Sequence, residues 1–339
     1  MTTWRYIPVL MIVSPRDKTY YKPDASIECF GGAYERIPGT EGPGKDLSDK
    51  INWKIVGPDW QEKLGIGQEF TFDPWMCGDY YVFADVIDTM GNAGQQMVKI
   101  TVGLGKKYNE YDNTIIAATK GKDILPEVEK GKIHQESLFN PFAISKSGAM
   151  GISQFMKGTA ERQGLKVPMP PLHSGTPDNP KELYKKREEF YKWLKTDEGK
   201  AWIESDEVDG SIWDPVSAIF AGVDYLQDQY DIDKFEDVPD TKDNRDRQRY
   251  ALASYNAGPG YIKRAKKMIE EDHKKKKLLD KSSTDWDSIV WIGQNKEVKV
   301  KNPYTGKESK WIAGQTITYV DHIIGRNGGL AGYSLEYDP

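Results

Sequence analysis

Two incompatible hydrophobic periods divide this chain near residue 105. Up to Val102, the residues Val, Ile, Tyr, Phe and Trp crowd into short runs at 10–13, 26–30, 51–56, 69–72, 80–87 and 96–102, with Gly, Pro, Asp and Asn in the gaps. Runs of that length and composition, separated by turn chemistry, predict an all-β sandwich. Beyond the connector Gly103-Leu104-Gly105-Lys106-Lys107 the spacing changes. Val216, Ile219, Phe220, Val223, Leu226 and Tyr230 recur at three- and four-residue steps, with Asp214 placed to cap and Pro215 in the first turn, and this predicts an amphipathic helix. Leu183, Phe190 and Leu194 form a similar stripe in the charged segment 180–205, expected to be a surface helix. The expected fold class is α+β: an all-β sandwich over residues 1–105, a linker over 106–112 and a mainly helical domain over 113–335. A length of 339 residues suffices for two separate cores.

The segment 78–88, followed by Gly91-Asn92, resembles the penultimate strand and last hairpin of an immunoglobulin-like or PKD-like module. Trp53 lies between the two cysteines, Cys29 and Cys77, but Cys77 precedes the tyrosine pair instead of following it, so the antibody disulfide pattern is not reproduced. A bridge and two buried free thiols both remain open. Neither cysteine belongs to a cluster with zinc-ligand spacing, so no metal or other cofactor is expected. A formal net charge of -5 argues against nucleic acid as a partner, and the run 274–277 reads as solvated lysines. The apolar start, interrupted by Pro8, is too short to span a bilayer and lacks the shape of a secretory signal.

Chemistry concentrates around Glu136, in the run Ile133-His134-Gln135-Glu136-Ser137. On a helix of 3.6 residues per turn, Leu125, Val128 and Glu136 share one side, so the carboxyl points where the apolar residues point. Apolar surroundings disfavour its ionised form, and the negative end of the helix dipole adds to the effect. A carboxyl with a raised pKa is what a general acid near neutrality needs. Gly131 in the same helix suggests close backbone packing, and His134 reads as a packed neighbour.

Glu136-Ser137, Asn140-Pro141, the segment 145–154 with its glycines, Thr159-Ala160, Tyr255-Asn256-Ala257-Gly258 and Thr316-Ile317-Thr318-Tyr319-Val320 occur in that order. Together they resemble the soluble lytic transglycosylase family, lysozyme-like enzymes that cut peptidoglycan, over about residues 110–330. The resemblance implies that Glu136 is a single acid/base, which protonates the oxygen between MurNAc and GlcNAc and then takes the proton of the MurNAc C6 hydroxyl as a 1,6-anhydro ring closes. It implies that Ser137 helps position the carboxyl or the sugar and that Tyr255 and Tyr319 orient Glu136. Gln154 and Asn256 are expected to bond sugar or N-acetyl groups. Gly148 and Gly151 serve a tight turn, backbone approach to sugar, or both. Ser153 stands where the family usually has an apolar residue, which leaves that subsite in doubt. Residues 162–212 and 265–313 are expected insertions, the second carrying a hairpin near 296–310.

A hydrolytic muramidase on the same fold requires a second carboxylate, for which Asp214, Asp224 and Asp321 are candidates by position. A non-catalytic wall-binding module is the other alternative. Glycan strands are the expected partner and the bacterial wall, in the periplasm, the expected place of action. With no signal recognised, delivery by a virion tail or by non-classical export is expected, the sandwich anchoring the enzyme to a tail or baseplate assembly.

Overall fold

The structure is a computed structural model that describes residues 7–36, 44–105, 109–241, 244–275, 277, 280–301 and 306–325. Contacts divide these residues into two compact units, with the division after Asn113.

The first unit contains strands β1 (Val9–Ser14), β2 (Tyr20–Tyr21), β3 (Ile27–Tyr34), β4 (Asn52–Val56), β5 (Glu62–Ile66), β6 (Glu69–Phe72), β7 (Gly78–Ile87) and β8 (Ala93–Val102). They form a three-stranded sheet in the order β1-β3-β6 and a five-stranded sheet in the order β2-β8-β7-β4-β5. Alternation fixes which face turns inward: Tyr80, Val82, Ala84 and Val86 of β7 are all buried, while Phe83 and Ile87 are exposed. Ile27 and Cys29 from one sheet and Trp53, Tyr80 and Ile100 from the other share one core, so the unit is a β-sandwich. Strands β2 and β5 escaped the sequence reading. β2 is two residues long, and β5 is an edge strand whose Leu64 and Ile66 face solvent, so neither has a buried stripe to read. Cys29 and Cys77 are both buried, and no disulfide joins them. Residues 109–112, expected as linker, are ordered: a short 3-10 turn at Asn109–Tyr111 precedes Asp112, whose carboxylate accepts from the Leu104 backbone N–H at 2.7 Å. Residues 106–108 of that linker lie outside the described residues.

The second unit is helical: α1 (Asp112–Thr119), which begins within the first unit, α2 (Pro126–Ser137), α3 (Lys157–Arg162), α4 (Pro180–Lys185), α5 (Arg187–Trp193), α6 (Asp197–Ile203), α7 (Pro215–Tyr230), α8 (Asp246–Ala257), α9 (Pro259–Lys274), α10 (Trp286–Asn295) and α11 (Ala313–Ile323). Two small antiparallel pairs join them, β9 (Ala149–Met150) with β10 (Phe155–Met156) and β11 (Lys299–Lys301) with β12 (Glu308–Lys310). The latter is the expected hairpin; residues 302–305 at its turn lie outside the described set. As expected, Asp214 caps α7 by accepting from the N–H groups of Val216 and Ser217, and Pro215 follows it. Ile219, Val223, Leu226 and Tyr230 are buried, but Val216 and Phe220 are exposed, so the apolar stripe is narrower than the spacing implied. The expected surface helix at 180–205 is instead three short helices. They bury Leu183, Phe190, Trp193 and Trp202, with the Phe190 and Trp202 rings each in contact with those of Trp193 and Trp213.

Helix α2 carries Glu136 in its last turn. Pro126 occupies its first turn, and it stops at Ser137 because Leu138 and Phe139 take left-handed backbone angles, φ 54° and 61°. The Leu138 N–H closes the last turn on the His134 carbonyl. Gly131 lets α11 approach: a Cβ there would lie 3.1 Å from the Ile323 side chain.

Candidate active site

Glu136 is half-buried at the end of α2, and its carboxyl forms part of the wall of a cleft of about 280 Å³. Tyr319 of α11 donates its hydroxyl to Glu136 Oε1 at 2.7 Å. The other walls come from Ser145, Ser147 and Ala149, from Gln154, Phe155, Met156 and Thr159, and from Tyr225, Tyr255 and Asn256 of α7 and α8. Burial pushes the Glu136 carboxyl up to about 7, against the opposing pull of the Tyr319 hydroxyl and the Lys132 ammonium and with a further push from Glu129. The acid form is therefore populated at neutral pH, as a proton donor requires. Tyr319 and Tyr255 are raised well above the usual phenol value, first by burial and next by the nearby Glu136, so both remain protonated donors. His134 is lowered to about 4 by burial and packs edge-on to Phe139, as a neighbour and not a proton carrier.

The loop before α3 is held from several directions. Ile144 bridges Met150, and the Gly151 N–H bonds the Ala143 carbonyl. Gln154, at φ 50°, donates its side-chain amide to the carbonyls of Ala143 and Gly151 while lining the cleft. Asn256 is exposed in the cleft; its side-chain carbonyl accepts from Thr316 Oγ1 at 3.0 Å, which turns its amide N–H groups toward other partners. Tyr255 donates to the Ser153 carbonyl at 2.7 Å and stacks in a group with Phe155 and Tyr225.

Four expected site residues do not face the cleft. The Ser137 hydroxyl donates to the Ile133 carbonyl within its own helix. Ser153 is 1% exposed and donates to the Ala218 carbonyl of α7, making it a strut between loop and helix instead of a sugar contact. Gly148 and Gly151 are buried at φ 91° and 77°, and a Cβ at Gly151 would come within 2.2 Å of the Ile212 carbonyl oxygen. Both glycines serve the tight turn. Conversely, Phe155, Met156 and Tyr225 line the cleft without having been singled out, and Ser145, Ser147 and Thr159 line it as members of the quoted motifs, with no role assigned to them. Met156, 47% exposed, stands two residues after Gln154 in the sequence, and only that proximity marked it.

No second carboxylate lines the cleft among the described residues. Asp214 is spent on the α7 cap, and Asp224 pairs with Lys122 at 2.7 Å. No group of three or more His, Cys, Asp or Glu able to hold a metal occurs among the described residues.

The family description "Transglycosylase SLT domain" matches residues 113–182 and 199–278, spanning Glu136, the glycine loop, Tyr255 and Asn256. The helical unit is thus similar to the transglycosylase SLT domain. The break in the SLT match, at 183–198, falls within the first expected insertion. The chain is also 26% identical over 173 residues to a membrane-bound lytic murein transglycosylase F of Maricaulis maris (strain MCS10), covering 50% of this chain and 26% of that one. Among solved structures it is similar to the 70 kDa soluble lytic transglycosylase of Escherichia coli, at 18% identity and a TM-score of 0.28, covering 66% of this chain and 26% of that one. The chain thus spans about a quarter of the length of the relatives it matches. In the SLT domain and the rest of the described residues, no helix is long and apolar enough to cross a membrane.

Proposed function

We propose that this protein is a peptidoglycan lytic transglycosylase that cleaves the MurNAc-β-1,4-GlcNAc bond with Glu136 as its single acid/base. The observation that carries the reading is a carboxyl held at about 7 in a cleft wall, fixed by Tyr319, with no other carboxylate lining that cleft among the described residues. Protonated Glu136 gives its hydrogen to the bridging oxygen as the C1–O bond breaks. The resulting carboxylate then accepts the C6 hydroxyl proton as O6 bonds to C1, which yields the 1,6-anhydro sugar and consumes no water. The substrate acetamido group stabilises the developing positive charge, so one protein carboxyl suffices. Asn256 and Gln154 are the polar groups that would meet sugar or N-acetyl atoms, with Met156 offering an apolar surface beside them. Similarity to an SLT domain and to a lytic murein transglycosylase supports the same reading.

Mass spectrometry of digested peptidoglycan tests it. Anhydro-muropeptides are expected from the wild type, and from Glu136→Gln a loss of at least about a hundredfold in rate. Reducing ends would identify a hydrolase, and no soluble fragments a wall-binding module.

The β unit is read as an immunoglobulin-like attachment module. Its strand order supports this, as do Trp53 buried on β4 and Tyr80 on β7, whose hydroxyl donates back to the Met76 carbonyl. Leu64, Phe83 and Met97 stand exposed in one row across its five-stranded sheet. A tail or baseplate assembly is the proposed carrier to the wall; recovery of the protein only free, never in purified particles, overturns that part.

A further inference from the structure

Glu129 and Lys132 are fully buried, charged residues in a helix whose inward face should be apolar, and the transfer of a proton by Glu136 does not use them. They precede Glu136 by seven and four residues on α2, which places all three on one side. Their side chains are 0% exposed and pair at 3.0 Å. The Lys132 ammonium also lies 4.4 Å from the centre of the Tyr255 ring, whose hydroxyl ties the glycine loop through Ser153. Space for it is left by Gly222 of α7, where a Cβ would come within 2.9 Å of Lys132 Nζ and 2.6 Å of Ser153 Oγ. Burying an ion pair in this way costs several kcal/mol per charge before the attraction between the partners is counted, and an apolar pair of similar size packs as well. Stability alone therefore does not account for the pair.

We propose that Glu129 and Lys132 are a positioning pair for the acid/base, a fixed dipole behind Glu136 that sets its charge state and braces Tyr255 at the cleft. This deepens the transglycosylase reading and rests on it for its catalytic meaning. The titratable and charged groups that face Glu136 are Glu129 and Lys132 from α2, Tyr255 from α8 with Tyr225 of α7 behind it, and Tyr319 from α11. Of these, Glu129 and Lys132 are the two that form an ion pair with each other. Lys132 favours the Glu136 carboxylate, and Glu129 opposes it more weakly. Burial raises Glu129 itself, and its partner Lys132 opposes that rise.

The two halves of the pair must then act in opposite directions. Lys132→Met leaves a Glu129 that can take up a proton and become neutral, which keeps the variant foldable, and Glu136 loses the cation favouring its carboxylate. Glu129→Gln leaves the cation to Glu136 alone. The test is a titration of Glu136 by carbon NMR of the side-chain carboxyls, assigned by the signal missing in Glu136→Gln, together with the pH profile of kcat on peptidoglycan. For Lys132→Met the Glu136 midpoint and the alkaline limb of kcat should move up by about one pH unit, and for Glu129→Gln down by a similar amount. Lys132→Arg should restore the wild-type midpoint. Midpoints unmoved in folded Lys132→Met, or moved the same way in both variants, overturn the proposal. Opposite midpoint shifts without any cleavage by the wild type leave the pair standing and overturn the transglycosylase reading instead.

Discussion

At the scale of single residues, holding Glu136 near 7 destabilises the fold that holds it. The folded chain keeps this proton from the ordinary carboxyl value of 4.5 up to about 7, while the unfolded chain has already released it. Stability is therefore lost as pH rises through that window and is unaffected by Glu136 below it. The loss amounts to at most about 3 kcal/mol, reduced by solvent reaching the cleft. Glu136→Gln, which keeps the Tyr319 hydrogen bond, should melt at a higher temperature than the wild type at pH 8 and at nearly the same temperature at pH 4; calorimetry at the two pH values checks this. Tyr319→Phe should act differently. Losing a donor that favours the carboxylate raises the Glu136 midpoint, so the alkaline limb of the rate profile moves up. The unanchored carboxyl should also lower kcat by roughly ten- to a hundredfold.

At the scale of elements, the site depends on how a loop is wedged between helices. Gly151→Ala forces an L-residue to φ 77° and drives a methyl group into the Ile212 backbone. A cost of roughly 2–4 kcal/mol is expected in denaturant unfolding, with activity lost as the loop shifts. Much of this region was legible in the sequence. Glu136 was recoverable because helical spacing put it on the side of Val128, and Tyr319, Gln154 and Asn256 because they lie in ordered short motifs. The backbone partners of Ser137 and Ser153 were not legible, because a hydroxyl beside a catalytic position reads the same whether it faces a sugar or a backbone carbonyl, and tertiary packing decides. Lys132 and Glu129 were invisible for the opposite reason. A charged pair at i and i+3 ordinarily marks a solvated helix face, and nothing local reveals that Gly222, ninety residues on, opens a hole for it. The aromatic cluster that α5 and α6 form with Trp213 was hidden by dense surface charge in the same way.

At the scale of the whole molecule, contacts divide the chain after Asn113, a few residues beyond the change of period near residue 105, because Asp112 and Asn113 bond back to the β unit. All the residues around Glu136 belong to the helical unit. A fragment from residue 109 to the C-terminus should therefore cleave soluble glycan strands with the kcat of the full chain, and product analysis on both checks this. The sandwich has a separate consequence through its two sulfurs. Cys29 is pushed up to about 12 by burial and, like Cys77, is closed off from solvent. Burial of both sulfurs leaves an outside oxidant no accessible thiol, and a reductant no crosslink to open.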